Sequence, residues 1–205
     1  MSERKDDLAL INDIAKGNDR SLKLLYDTYA SKAFNTIISF TKNEEDAEEL
    51  LQDVFMSVVE NACTFRGDST LSTWIYRMAV NKSLDFLRKK NTQKRYGIFT
   101  SIYKKDSTEL HFDKTDFVHP GVRLEQKENA KILFSVIDQL SENQKTAFLL
   151  TQVEGLPQQE VADIMKVTRK SVASLLQRAK ANLKKELERL YPSRGINKKR
   201  TSKVI

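Results

Sequence analysis

Residues 158–180, QQEVADIMKVTRKSVASLLQRAK, constrain the fold more than any other stretch of the chain. Val161, Ala162 and Met165 form a short apolar stripe at helical spacing, and Lys166-Val167 interrupts it. A second stripe starts beyond Thr168 with Val172, Leu175 or Leu176, and Ala179. The spacing predicts two helices crossing closely, with the small Ala162 at the crossing and Val167 plugging the angle. That is a helix-turn-helix, a unit that holds its second helix out to enter the major groove of DNA. Thr168, Arg169, Lys170, Ser171, Ser174 and Gln177 fit the exposed positions of the second helix, with Arg178 further along it. Arg and Lys pair with guanine edges or phosphates, Gln with adenine, and Ser or Thr with phosphates. An antiparallel helical hairpin with a solvated basic face gives the same pattern.

The rest of the chain reads as helix. Six Gly and three Pro in 205 residues leave few breakers, and no run alternates apolar and polar residues as a half-buried strand would. Residues 5–90 are expected to form one compact helical domain. Leu8, Ile11, Ile14 and Ala15 make its first stripe, Gly17-Asn18 a break, and Leu22, Leu24, Leu25 and Tyr29 the start of the next helix. A third helix is expected from about Glu44 to Asn61, burying Ala47, Leu50, Leu51, Val54, Phe55, Val58 and Val59. After a loop at Thr64–Leu71, a fourth is expected to run to about Lys90, capped by Ser72 or Thr70. Residues 91–125 lose the period and read as a flexible linker. A second domain, 126–190, carries the helix-turn-helix. There Ser141 and Gln144 are spaced as a capping box, Gly155 stops a helix and Pro157 opens the next. The tail, 191–205, is basic and expected to be disordered. The predicted class is all-α, two helical domains joined by a linker.

Charge is uneven. The net charge is +7, which suits a polyanionic partner. Between Lys166 and Lys203, 13 Lys or Arg face only Glu186 and Glu188. Between Lys42 and Glu60 the balance reverses, with Glu44, Glu45, Asp46, Glu48, Glu49, Asp53 and Glu60 against Lys42. Two opposite surfaces imply two kinds of partner. Cys63 is the single cysteine, which fits a reducing compartment. The first ten residues lack the apolar core of a signal peptide, and no apolar run approaches the roughly 20 residues that span a bilayer. The expected protein is soluble, cytoplasmic and not inserted in a membrane.

Two further constellations bear on function. In FRGDSTLSTWIYRMAVNKSLDFLRKK (65–90), Arg77, Asn81, Asp85 and Arg88 share one helix face. Asn offers a donor and an acceptor to a base edge. Phe65, Trp74 and Tyr76 flank the stripe, and aromatics beside cations stack on unpaired bases. A base drawn from its stack could lodge in the Gly67-Asp68-Ser69 loop. Against this, Trp74 and Tyr76 also read as core, which is the favoured reading for Trp74. The acidic helix places Asp46, Glu49 and Asp53 on one face, a set that could hold magnesium as a nuclease does, but such density is more commonly a solvated face or a docking surface. His111 and His119 belong to no motif. No phosphate-binding loop, zinc spacing or nucleophile elbow is present, so neither an enzyme nor a cofactor is expected.

Four blocks in order resemble one family. LLYDTYA (24–30), DAEELLQDVF (46–55), FRGDSTLSTWIYRMAVNKSLDFLRK (65–89) and LSENQKTAFLLTQVEGLPQQEVADIMKVTRKSVASLLQRAKANL (140–183) are similar to bacterial RNA polymerase sigma factors of the extracytoplasmic-function group. The resemblance implies a transcription initiation factor that joins core polymerase, directs it to promoters and promotes melting. It implies that Asp46, Glu49, Gln52 and Asp53 dock on the β′ clamp helices. It implies that Phe65, Asp68, Ser69, Trp74, Arg77, Asn81 and Arg88 serve the −10 element, with Asn81 at the base-contacting position. It also implies that Thr168, Arg169, Lys170, Ser171, Ser174, Gln177 and Arg178 read the −35 element, beside the β flap. An anti-sigma factor is a further implied candidate partner. The chain departs from the pattern at Lys166, where a turn Gly is usual, and at Ala173 and Leu175, where Lys or Arg is frequent. The competing reading is a stand-alone helix-turn-helix regulator of duplex DNA.

Overall fold

The structure, a computed structural model, describes residues 2–103 and 127–191. Its elements are all helical among those residues: α1 (Ser2–Ala15), α2 (Asp19–Thr41), α3 (Glu44–Asn61), α4 (Leu71–Tyr103), α5 (Lys127–Ile137), α6 (Glu142–Phe148), α7 (Gln158–Met165) and α8 (Arg169–Leu190). A 3₁₀ turn at Ala62–Thr64 follows α3, and a π-helical segment, Leu149–Val153, continues α6. The linker and the basic tail fall largely outside the described residues.

The helix starts are written in side chains. The Asn18 carboxamide accepts from the N–H groups of Arg20 and Ser21 at 3.0 and 3.3 Å, and that of Asn43 from Asp46 at 2.8 Å. Each supplies an acceptor to a first-turn N–H that has no partner within the helix. Thr70, not Ser72, caps α4, its hydroxyl accepting from the Thr73 N–H at 3.2 Å. The Asp7 carboxylate reaches from α1 to accept from the Leu71 N–H at 3.1 Å, so α1 also secures the start of α4. The helix expected to end near Lys90 continues to Tyr103. Residues 91–103 contain no proline, and the single Gly97 costs a helix only about 1 kcal/mol.

Helices α1–α4 enclose an apolar core of Ile11, Ile14, Leu25, Ile37, Ala47, Val54, Val58, Leu71, Ile75 and Ala79. The predicted stripes supply most of it. Ala15, Leu24 and Val59 are exposed instead, at the margins of their stripes. The second core gathers Phe134, Ile137, Ala147, Leu149, Leu150, Val161, Ala162, Ile164, Val172, Leu176, Ala179 and Leu183. Phe40 of α2 and Tyr76 and Val80 of α4 belong to this second cluster. The two helical units are therefore joined by a continuous apolar seam.

The helix-turn-helix lies at α7–α8. Lys166 adopts a left-handed conformation, φ 54°, and the Val167 N–H donates back to the Ala162 carbonyl at 3.0 Å. This closes α7 in the manner of a Schellman turn. Two expectations change here. Ile164, rather than Met165, is the buried residue of the last turn, and Val167 is 40% exposed rather than filling the corner. The left-handed step at Lys166 turns Val167 outward. The predicted capping box is also absent: Ser141 makes no side-chain cap, and Gln144 accepts from the Asn182 amide of α8 at 3.1 Å. That bond ties α6 to α8.

A side chain in the left-handed region is strained by roughly 1–2 kcal/mol, while glycine loses more backbone freedom on folding. Lys166→Gly is therefore expected to stabilise the protein by up to about 1 kcal/mol, seen as a rise of a few degrees in Tm by calorimetry. A lower Tm would show that the Lys166 side chain contributes more than its backbone costs.

Candidate nucleic-acid interface

The loop between the 3₁₀ turn and α4 is held from below. Phe65 is half-buried and lies 5.0 Å from Trp74, the rings tilted by 44°. Trp74 is half-buried against the first core, as its favoured reading required. Tyr76 is fully in the second core. The pair Phe65–Trp74 anchors the loop so that Asp68 is exposed and Ser69 half-exposed. Gly67 makes the turn possible: its φ is 74°, and a Cβ there would meet the Leu8 side chain at 3.2 Å.

The polar stripe of α4 exists as predicted, and it faces the second unit. The Arg77 guanidinium donates through Nη2 to the Asp163 carbonyl of α7 at 2.7 Å. Arg88 pairs with Asp85 at 2.9 Å and bridges to Glu142 at the start of α6, Nε to Oε2 at 3.1 Å and Nη2 to Oε1. Asn81 is exposed on the wall of a cleft of about 330 Å³. Arg77 and Asn81 line one side of it, and Asn143, Ile164 and Lys166 line the other.

Between α2 and the second unit lies a set of ionisable groups that no sequence pattern singled out. Lys42 ends α2 in a left-handed conformation, donates to the Phe134 carbonyl at 3.1 Å and contacts Asp138. Lys145 pairs with the same Asp138 at 2.7 Å. Burial, and then the Lys145 ammonium, lower Lys42 to about 7, while burial alone lowers Lys145 to about 8. The Asp138 carboxylate between them opposes both shifts, so the cluster favours at least one charged lysine near neutrality. Glu154 accepts from Ser39 of α2 at 3.3 Å, and burial pushes it up to about 7 against that hydrogen bond. No local motif marks these residues; only their tertiary proximity does.

The acidic helix α3 presents Glu49 and Gln52 to solvent. Asp46 and Asp53 lean onto α4, Asp46 to Lys90 at 2.7 Å and Asp53 to Lys82 at 3.9 Å. The three carboxylates suspected of holding a metal are thus not gathered on one ion: two answer to lysines. Among the described residues, no group of three or more metal-ligating side chains occurs.

On α8 the Thr168 hydroxyl caps the helix, accepting from the Ser171 N–H at 3.1 Å and bonded to the Ser171 hydroxyl at 2.8 Å. Ser174 accepts from Arg178 at 2.8 Å. Arg169, Lys170, Ser171, Gln177 and Arg178 are exposed, while Val172, Leu176, Ala179 and Leu183 hold the other face down. The helix therefore presents a basic and polar side supported by an apolar one. No helix among the described residues is long and apolar enough to cross a membrane.

Glu154 yields a pH test. Its packed value, about 7, exceeds its ordinary value of 4.5, so the folded state binds the extra proton between those limits. Stability from this group is present below about pH 4.5 and is lost as pH rises through 7. The depressed lysines act oppositely, adding stability from about pH 7 upward. Glu154→Gln is expected to gain on the order of 1 kcal/mol over wild type at pH 7.5 relative to pH 5, measured by urea denaturation. A constant difference across that range would exclude a buried, titrating Glu154.

Comparison with known proteins agrees with this arrangement. The family model described as Sigma-70 region 2 matches residues 25–93, and that described as Sigma-70, region 4 matches residues 130–183. The ECF RNA polymerase sigma-E factor of Haemophilus influenzae is 27% identical over 93% of this chain and 100% of its own length. The ECF RNA polymerase sigma factor SigX of Bacillus subtilis is 26% identical over 84% of this chain and 86% of its own. Among solved structures, CnrH in complex with the cytosolic domain of CnrY aligns with a TM-score of 0.62 at 21% identity, over 89% of this chain and 97% of that one. The sigma factor RpoE of Bartonella quintana, in complex with the anti-sigma factor NepR, aligns with a TM-score of 0.56 at 21% identity, over 81% and 96%. The two matched regions, in this order and together covering more than half of the sequence, place the chain in the sigma-70 family, among the extracytoplasmic-function sigma factors of RNA polymerase.

Proposed function

We propose that the protein is a promoter-specificity factor with no catalysis of its own, acting in the cytoplasm on core RNA polymerase. One observation carries this reading furthest. A single helix, α4, carries Arg77, Asn81 and Arg88 on one face beside an aromatic-anchored loop, while a separate basic helix, α8, projects from a helix-turn-helix. One surface suits unpaired bases and the other suits duplex.

Region 2 would serve the −10 element. Asn81 is placed to bond a base edge, Arg77 and Arg88 to bond phosphates, and the loop at Phe65, Asp68 and Ser69 to receive an extruded base over the Phe65–Trp74 pair. Melting would draw on stacking and capture, at roughly 1–3 kcal/mol per stacked base. Region 4 would read the −35 element with Arg169, Lys170, Ser171 and Gln177, while Thr168 chiefly fixes the start of the helix, and Ser174 and Arg178 act as a bonded pair near phosphates. The solvent-facing Glu49 and Gln52, with Asp46 and Asp53 beside them, form the surface for the β′ clamp helices. Domain limits of 5–90 and 126–190 fit these roles. An anti-sigma factor is a fitting further partner, as RpoE of Bartonella quintana was solved with the anti-sigma factor NepR.

A stand-alone regulator would bind duplex promoter DNA tightly without polymerase. The proposed factor shifts such DNA only in the presence of core enzyme, which a gel-shift with and without core separates. Asn81→Ala is expected to slow promoter opening on the order of tenfold, as for one lost base contact, with core binding unchanged. Equal loss of both would make Asn81 structural. Asp53→Lys is expected to weaken core binding about tenfold, with the circular dichroism spectrum preserved. Undiminished core affinity would remove Asp53 from the docking surface.

A further inference from the structure

Resting on the assignment of the α4 stripe to promoter DNA, we propose that the start of α6 is an internal stand-in for a DNA phosphate, so that region 4 competes with the melted strand for region 2. The Arg88 guanidinium grips the Glu142 carboxylate with two N–H groups, Nε to Oε2 at 3.1 Å and Nη2 to Oε1. A forked guanidinium engages phosphate in the same geometry. One turn of α7 supplies the second acceptor: the Asp163 carbonyl receives Arg77 Nη2 at 2.7 Å. Asn81 lies between these two arginines on the same face, on the cleft wall opposite Asn143 and Lys166.

The closed arrangement satisfies Arg77 incompletely. Its Nε is buried and has no hydrogen-bond partner among the described residues. A buried N–H without an acceptor is unfavourable, and a strand with several phosphate oxygens offers acceptors in number. The apolar seam of Phe40, Tyr76 and Val80 keeps region 4 seated while this exchange is pending. The stripe is thus occupied by acceptors of the chain itself, and a nucleic acid strand must displace them.

The test uses the full chain and a fluorescein-labelled single strand of about twelve nucleotides, within the footprint of such surfaces. Anisotropy at low salt compares wild type with Glu142→Gln, an isosteric change on an exposed residue. Removing the charged competitor is expected to tighten binding about fivefold or more. The gain should vanish when the Glu142→Gln, Arg88→Ala double variant is compared with Arg88→Ala alone. Equal affinities of Glu142→Gln and wild type would overturn the proposal, and so would a gain that survives loss of Arg88. Transcription with core polymerase is measured in parallel. Intact promoter-directed transcription with unchanged strand affinity overturns only the competition, whereas no such transcription by wild type overturns the assignment of function beneath it.

Discussion

Tyr76 and Val80 of α4, with Phe40 of α2, are buried in the core of the other unit, and most other features of the interface follow from that. Side chains of this size each contribute roughly 1.5–3 kcal/mol when removed from water. Burying one apolar turn of α4 fixes the rotation of the whole helix. Arg77 and Asn81, next along the chain from these residues, must then lie at the rim of the same contact. The polar contacts around the seam, Arg88 with Glu142 and Lys42 with Asp138, select one register for a contact that apolar area alone would leave free to slide.

Within that frame, electrostatics and packing divide the work. Exposed pairs such as Lys23 with Asp27 contribute little, because water screens them and both side chains lose freedom. The ionisable group between α2 and the second unit differs because it is partly dry. Lys42, Lys145 and Glu154 all have altered proton affinity there, all three by burial first. Glu154 favours the contact at lower pH and the two lysines favour it at higher pH, so together these groups support the contact least near neutrality.

Much of the fold was legible in the residues. The bounds of α3 follow from Asn43 and the acids behind it, and its buried set from spacing at three and four; the structure reproduces the bounds and all of the set but Val59. The two helices of the helix-turn-helix were equally readable, because Lys166 interrupts a sharp apolar period. Misreadings occurred where local pattern competes with tertiary contact. Gln144 matched a capping box, yet Asn182 of α8 claims its oxygen. The loss of apolar period after Lys90 read as the start of a linker, but α4 continues to Tyr103, since helix can persist without an apolar stripe where no proline stops it. Phe134 went unmarked as core, and its buried cluster includes Phe40, Tyr76 and Val80 of the other unit, which no local pattern brings to it. For the candidate site, the stripe of α4 was predictable from spacing. What it faces was not, because Glu142 and the Asp163 carbonyl come from elements more than fifty residues away.

The interval between Tyr103 and Lys127 has a quantitative consequence. It holds 23 residues, and a chain of that length reaches at most roughly 80 Å when fully extended. A tether so short confines its two cargoes to a small volume, equivalent to a local concentration on the order of millimolar. At that density a grip of about 4 kcal/mol is enough to keep the halves together half of the time. Latch strength can thus stay modest, and a large docking partner can separate the halves without first overcoming an obligate interface.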